Sequence, residues 1–338
     1  MSGRNAQAEA HQGLLKEFFS DDPRFVFQKL VAHGNYGSAS HIKYIDPRVP
    51  SVKDFLVKMA FNDEDARESM IKERKFLEKF RGNSHIVQLI DIPENPLEDE
   101  LLAEDVNPND WIIMEWIQCG TFGEFIYMAR GTARRMLPNR LLWRFFLCLI
   151  RSVIAMAWAD NNENINHDVP ASELVHNDLH LNNVLLGEPP MDEEHRITPI
   201  LKIIDFGVAG EWPISDGPNA RQSNIYDIGS LMMALITLSP ERPPSQDNYP
   251  TFTMGGREVK TEATRLVPCP DGVDPTLAAL VCACMASDYK SRPTLTFLLD
   301  TTVTAVRERT AAYYQNIPDE RDAYISRLWR DLTFTALT

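Results

Sequence analysis

The stretch His176–Leu186, reading HNDLHLNNVLL, carries polar side chains whose types and spacing could do chemistry. Asp178 is an acid, His180 follows two residues on, and Asn183 is an amide five residues past the acid. The apolar triplet Val184-Leu185-Leu186 completes it. About twenty residues later Leu201–Gly207, reading LKIIDFG, is an apolar strand that delivers a second acid, Asp205, just before Phe206 and Gly207. An acid and an amide beside a second acid at a neighbouring strand end make a metal–phosphate constellation. Mg2+ takes hard oxygen ligands, usually one or two carboxylates together with substrate phosphates. Asn183 and Asp205 would be those ligands, and Asp178 would be free to receive a proton. Asp and Asn are also ordinary turn residues, so either string alone fits a surface loop equally well. Both strings in this order and spacing favour the metal reading.

These residues need elements to hold them. Phe25–Ala32 alternates apolar and polar residues, turns through His33-Gly-Asn-Tyr-Gly-Ser38, and returns along His41–Ile45. Glycines in such a turn let backbone N–H groups approach a phosphate, and a plain hairpin explains them too. Lys58 lies in the apolar strand Phe55–Met59, either as an exposed alternation residue or as a cation with a task. The helix that follows bears on this choice. Asn62 can cap it, and Asp63, Glu64 and Asp65 suit its positive end. Its apolar stripe runs Ala66, Met70, Leu77, Phe80, and the missing rung is Glu73. A carboxylate on a buried face is costly unless a cation meets it, and Lys58 is the natural partner. The other reading puts Glu73 at the solvated edge of the stripe.

Two further strands are expected at His85–Ile90 and Trp111–Glu115, with the proline-rich, acidic Pro93–Asp110 as a surface loop between them. Past Met114-Glu115-Trp116-Ile117 the chain reaches a connector at Gly120. Pro138–Asp160 reads as a strongly apolar helix, and Asn161–Ser172 as a polar, turn-rich insertion. Ile225–Ile236 is a helix apolar almost all round, hence buried, with Asp227 its one charge. Leu295–Tyr314 and Arg321–Leu332 look helical, and Met1–Asp22 looks like a polar extension with a short helix around Gly13–Phe19.

A chain of 338 residues, 44% hydrophobic, can bury a sizeable core as one large domain or two lobes. Its net charge of −14 argues against a nucleic-acid-wrapping protein, which needs a basic footprint. Nucleotide binding needs only local cations and backbone amides. Five cysteines, odd in number and without CxxC pairs, predict a reducing, intracellular setting, cytoplasmic or nuclear. Cys282 and Cys284 sit in an apolar helical stretch and read as core. Met1–Leu15 lacks the apolar run of a signal peptide, and Arg144 and Arg151 interrupt the most apolar stretch, so no secretion and no membrane association are expected.

The pattern HxDLxxxN followed by DFG resembles the catalytic and metal-binding loops of the protein kinase superfamily. The similarity runs from about Phe25 to about Asp300. It implies an α+β, bilobal fold with a small antiparallel-sheet N-lobe carrying one helix and a larger helical C-lobe. The corresponding division is residues 1–22 as an extension, 23–117 and 118–305 as the lobes, and 306–338 as a C-terminal helical extension. The glycine turn matches the kinase GxGxxG at Gly34 and Gly37, with Ala32 in place of the first glycine. The resemblance implies that Lys58, held by Glu73, orients the α- and β-phosphates of ATP. Gly34, Gly37, Ala39 and Leu185 would contact the nucleotide. So would a hinge of Glu115 and Ile117 with Met114 as gatekeeper. Asn183 and Asp205 would hold Mg2+, Asp178 would accept the hydroxyl proton, and His180 would touch the transferred phosphoryl. Asp227 would anchor the catalytic-loop backbone, and Arg292 in Ser287–Thr294 would brace the C-lobe.

Several positions depart from the family. Asn177 replaces the catalytic-loop arginine that often pairs with an activation-loop phosphate, so that switch is not expected. His180 replaces the lysine that steadies the γ-phosphate. Histidine can still donate a hydrogen bond, and in this place it also resembles aminoglycoside- and choline-type small-molecule phosphotransferases. The Ala-Pro-Glu motif is absent, only about twenty residues separate Asp205 from Asp227, and Asp216 is the expected partner of Arg292. Leu56 stands where the family prefers alanine and Ala39 where it prefers valine. This either preserves the adenine slot by a size swap or narrows it. HxDLHxxN with a shortened activation segment is also similar to kinase-like proteins abundant in filamentous fungi. The expectation is an ATP- and Mg2+-dependent serine/threonine protein kinase with no activation-loop switch and an unidentified protein substrate. Two alternatives keep the fold. One is a small-molecule kinase with an acidic pocket from Glu211, Asp216 and the Asn161–Ser172 insertion. The other is a nucleotide-binding pseudokinase scaffold.

Overall fold

Side chains alternate across a strand, so Phe55, Val57 and Met59 share one side while Leu56 and Lys58 share the other. That division organises the first half of the structure, a computed structural model describing residues 2–48, 50, 53–95, 97, 110–132, 136–190, 192–212, 217–241 and 248–334. The chain forms two units. The first is Met1–Gly82 with Val87–Trp116 and Asp205–Ala209; the second is Asn83–Ile86 with Ile117–Ile204 and Gly210–Thr338.

The first unit contains α1 (Ser2–Phe18), β1 (Phe25–His33), β2 (Gly37–Tyr44), β3 (Asp54–Ala60), α2 (Glu64–Lys79) and β4 (Trp111–Glu115). The strands make one antiparallel sheet in the order β1-β2-β3-β4. One side of it packs Phe25, Ile42, Phe55, Val57, Met59 and Ile113 against Leu15 of α1 and against Phe19. The helix in the N-terminal stretch is therefore longer than Gly13–Phe19 and belongs to this unit, because the apolar side of the sheet needs a cover. α2 serves the other side, through the pairing of Glu73 with Lys58. Asp63, not Asn62, caps α2, its carboxylate accepting from the Ala66 N–H at 2.8 Å. His85–Ile90 does not form the expected strand. Ile86 bridges only Ile203 and Leu89 only Met114, so the sheet keeps four strands. Most of Pro93–Asp110 lies outside the described residues.

The second unit contains α3 (Phe122–Gly131), α4 (Asn139–Ala157), β5 (Leu174–Val175), β6 (Val184–Gly187), β7 (Ile200–Ile203), β8 (Gly210–Glu211), α5 (Ala220–Thr237), the hairpin β9 (Thr251–Met254) and β10 (Arg257–Lys260), α6 (Pro275–Cys284), α7 (Leu295–Glu308) and α8 (Asp322–Phe334). α4 is buried on nearly every side, as its composition requires, and packs against α5 and α7. Pro138 offers no side chain to its first amides. Glu320 supplies the cap instead, accepting from the N–H groups of Asn139 at 2.7 Å and Arg140 at 3.0 Å. The segment carrying Glu320 is thereby tied to the centre of the unit. α7 ends at Glu308, short of the expected Tyr314. No described helix is long and apolar enough to cross a membrane.

Leu15 has no exposed surface within the cluster under the sheet. Leu15→Ala should lower unfolding free energy by about 2–5 kcal/mol in urea titration, the range for truncating a buried leucine. A change below about 0.5 kcal/mol, as at a surface site, would mean that α1 is not part of the folded unit.

Candidate active site

Within the first unit, β3 offers Lys58 to the helix behind it. Its Nζ lies 2.6 Å from Glu73 Oε2 and 2.9 Å from Asp205 Oδ1. Glu73 is 1% exposed, so the missing rung of the stripe is inside and paired rather than at a solvated edge. Burial alone would push the Lys58 ammonium down, but Glu73 and Asp205 outweigh it and hold it above its ordinary value. Burial raises Glu73, opposed by the pull of Lys58, and the Asp205 charge adds to the rise. The residues after Asp205 are fastened to α2. Phe206 is fully buried against Phe80 at 5.1 Å between ring centres. A side chain at Gly207 would sit 2.2 Å from Ser69 Oγ, so any larger residue there must push the serine hydroxyl aside. Asp205 itself has φ +68°, a left-handed conformation that Asp tolerates better than most residues.

Cross-strand pairing puts Ala39, Lys58 and Ile112 side by side, with His41, Leu56 and Met114 in the next rank of the same face. Leu56 is thus adjacent to Met114 rather than to Ala39. His41 stacks on Trp116 with ring centres 4.0 Å apart, and its Nε2 meets Asp54 Oδ1 at 2.8 Å. Glu115 is tied to Gln88, its N–H donating to the Gln88 carbonyl at 2.9 Å and its Oε1 accepting from the Gln88 N–H at 3.0 Å. The two matching glycines differ. Gly34 is exposed with open space around it, whereas a Cβ on Gly37 would lie 2.2 Å from the Met59 carbonyl oxygen. Gly37 is required by the close approach of β2 to β3, and Gly34 alone sits in the open turn.

Within the second unit, β6 and β7 pair antiparallel, and Asn183 at the start of β6 turns back on the preceding loop. Its Nδ2 donates to the Asp178 carbonyl at 2.9 Å and to Asp178 Oδ2 at 3.2 Å. His180 Nε2 lies 3.5 Å from the same Oδ2, while its Nδ1 accepts from the Asn182 N–H at 3.2 Å. That acceptor role fixes the proton of neutral His180 on Nε2, facing the acid. His176 repeats the device in a fully buried position. Nε2 donates to the Ile204 carbonyl at 3.0 Å and Nδ1 accepts from the Asp178 N–H at 3.3 Å. Between them Asn177 takes φ +65°. Leu185 and Ile117 are also in this unit, with Leu185 bridged to Thr121 and partly exposed and Ile117 buried.

Asn224, one turn before the expected Asp227, anchors the catalytic-loop backbone. Asn224 is buried, accepts from the His176 N–H at 3.2 Å and donates to the Leu174 carbonyl at 2.8 Å. An amide can both donate and accept there, which a carboxylate cannot. Asp227 is only half-buried, and its charge favours the Arg292 guanidinium against the larger effect of burial. Arg292 donates to the carbonyls of Gln222 at 2.8 Å and Ala286 at 3.1 Å and stacks over Tyr226. Tyr226 in turn donates to Glu262 at 2.6 Å. Asp216, the expected partner of Arg292, lies outside the described residues.

Lys58, Glu73 and Asp205 therefore meet in one unit, and Asp178, His180 and Asn183 in the other. A family model described as protein tyrosine and serine/threonine kinase matches residues 25–228. The chain belongs to that protein kinase family, and its α+β architecture is the bilobal kinase fold. The reaction that goes with this membership is ATP-dependent phosphoryl transfer.

Lys58→Met leaves the Glu73 carboxylate buried without its cation. It should cost about 3–5 kcal/mol of stability, as breaking buried pairs does. The double variant Lys58→Met/Glu73→Leu should recover a measurable part of that loss by chemical denaturation. A double variant less stable than Lys58→Met would contradict the pairing.

Proposed function

We propose that this chain is a catalytically active Mg2+- and ATP-dependent protein kinase acting on serine or threonine hydroxyls without an activation-loop switch. The observation that carries the reading is the contact of Lys58 with both Glu73 and Asp205, backed by the packing of Gly207 on Ser69. In kinases this lysine–glutamate pair and the DFG acid must both be in place, and activation-loop phosphorylation commonly controls them. Here local packing supports both without a phosphate.

Lys58 then orients the α- and β-phosphates, and the open turn at Gly34 covers them with backbone N–H groups. Gly37 holds that turn to β3. By the family's pattern, Ala39, Met114 and Glu115 of the first unit and Ile117 and Leu185 of the second are the residues that would contact the base. Asp205 and Asn183 fit Mg2+ by the chemistry of their donors. Asp205 is a half-exposed carboxylate, and the amide N–H bonds of Asn183 to Asp178 leave its Oδ1 for a hard cation. The metal supplies neutralisation of phosphate charge.

Asp178 accepts the proton of the attacking hydroxyl. Its Oδ2 faces both Asn183 and His180, so Oδ1 is the oxygen placed for the substrate. His180 presents an Nε2–H where charge develops on the transferred phosphoryl. The bracing of α5 by Arg292 supports a protein substrate, because that motif is protein-kinase-like.

Asp178→Asn should abolish phosphoryl transfer from ATP while nucleotide affinity, read by thermal shift with Mg2+, changes less than about threefold. Turnover at the wild-type rate in this variant would remove the base assignment. ATP binding without turnover in the wild type, with protein acceptors supplied, would favour the scaffold reading. Phosphoamino-acid analysis of the product separates serine/threonine from tyrosine.

A further inference from the structure

Away from these residues, the second unit buries a cluster that phosphoryl transfer does not use. His85, Cys148 of α4 and His195 are 3%, 1% and 3% exposed. Each histidine is held from behind by a carboxylate. Glu163, itself buried, accepts from the His85 N–H at 2.7 Å and meets His85 Nδ1 at 2.6 Å. Asp192 meets His195 Nδ1 at 2.8 Å and 2.9 Å with its two oxygens, and also takes the His195 N–H at 2.7 Å.

Both imidazoles therefore carry a proton on Nδ1 and turn Nε2 inward. The two Nε2 atoms face each other at 3.2 Å, and Cys148 Sγ lies 3.3 Å from that of His195. In the neutral tautomers this points two buried lone pairs at each other, an arrangement that a cation between them relieves.

We propose that His85, Cys148 and His195 form a zinc site through Nε2, Sγ and Nε2. The three donor atoms lie within 4.8 Å of one another. Tetrahedral zinc with ordinary bond lengths separates two histidine nitrogens by about 3.3 Å and a nitrogen from a thiolate sulfur by about 3.6 Å. The observed spacings need only small adjustment to admit it. A carboxylate on the far nitrogen of each ligand histidine is the outer-shell arrangement that fixes tautomer and raises basicity. Thiolate and imidazole together suit zinc over magnesium or calcium, which take oxygen. Three protein ligands leave the fourth position for water. Binding takes up Zn2+ from its aqua ion and releases to solvent any proton held among the ligands, with no change of oxidation state. Glu163 and Asp192 position the ligands and do not themselves bind the metal.

The test is metal analysis of the full chain, purified from zinc-supplemented cells without chelator. About one zinc per chain is expected. Chelation should lower the melting temperature, and added zinc should restore it. Replacing zinc by Co2+ should give a thiolate-to-metal charge-transfer absorption that is lost in Cys148→Ser and kept in Cys269→Ser, which alters an exposed cysteine. The chelation and cobalt measurements on the wild type decide the matter even where Cys148→Ser does not fold. Less than about a tenth of an equivalent of zinc, with no cobalt absorption, would reduce the cluster to a hydrogen-bonded ion pair. So would a full zinc complement in a folded Cys148→Ser protein.

Discussion

A carboxylate on the buried face of a helix must be met by a cation, and the meeting of Glu73 with Lys58 orders the first unit. It fixes the rotation of α2 about its axis, because the rung that pairs with Lys58 is the rung that faces the sheet. It also fixes which side of β3 looks toward α2, leaving Phe55, Val57 and Met59 to be covered by α1. Asp205 joins the same ammonium at 2.9 Å, and Phe206 and Gly207 pack on the helix that carries Glu73. One ion pair thus sets the helix, the strand and the DFG segment together. The charge on Lys58 is secured by its two anionic neighbours despite burial.

The catalytic loop is held by local means. His176 and His180 each accept from the backbone N–H two residues on, so each ring stabilises the turn that carries Asp178. Asn177 between them adopts a left-handed conformation that an asparagine accepts more readily than a bulky residue. The amide of Asn224 then ties the loop to α5.

Much of this was legible in the sequence, for specific physical reasons. HxDLxxxN and DFG are local strings whose spacing is set by one loop and one strand pair. Glu73 stood out because it broke an apolar stripe of helical period. Other features carried no such signal. α1 is largely polar, and the role of Leu15 depends on an apolar sheet face assembled from residues far along the chain. The strand expected at His85–Ile90 has apolar residues enough, but its backbone reaches only two isolated bridges. Gly37 matched a phosphate-loop glycine, yet its need arises from the Met59 carbonyl across the sheet. Asp227 drew attention as the one charge in an apolar helix, while the neutral Asn224 one turn earlier makes the contact. His85, Cys148 and His195 are far apart in sequence, and only the fold places them together.

ATP hydrolysis by the full chain after phosphatase treatment, with Mg2+ and no acceptor but water, tests most directly whether the pairing of Lys58 with Glu73 and Asp205 is set by packing alone. Turnover at the rate of the untreated protein is predicted. Turnover that is absent after phosphatase treatment and returns only on phosphorylation would contradict it, and would mean that the lysine is positioned by a switch after all.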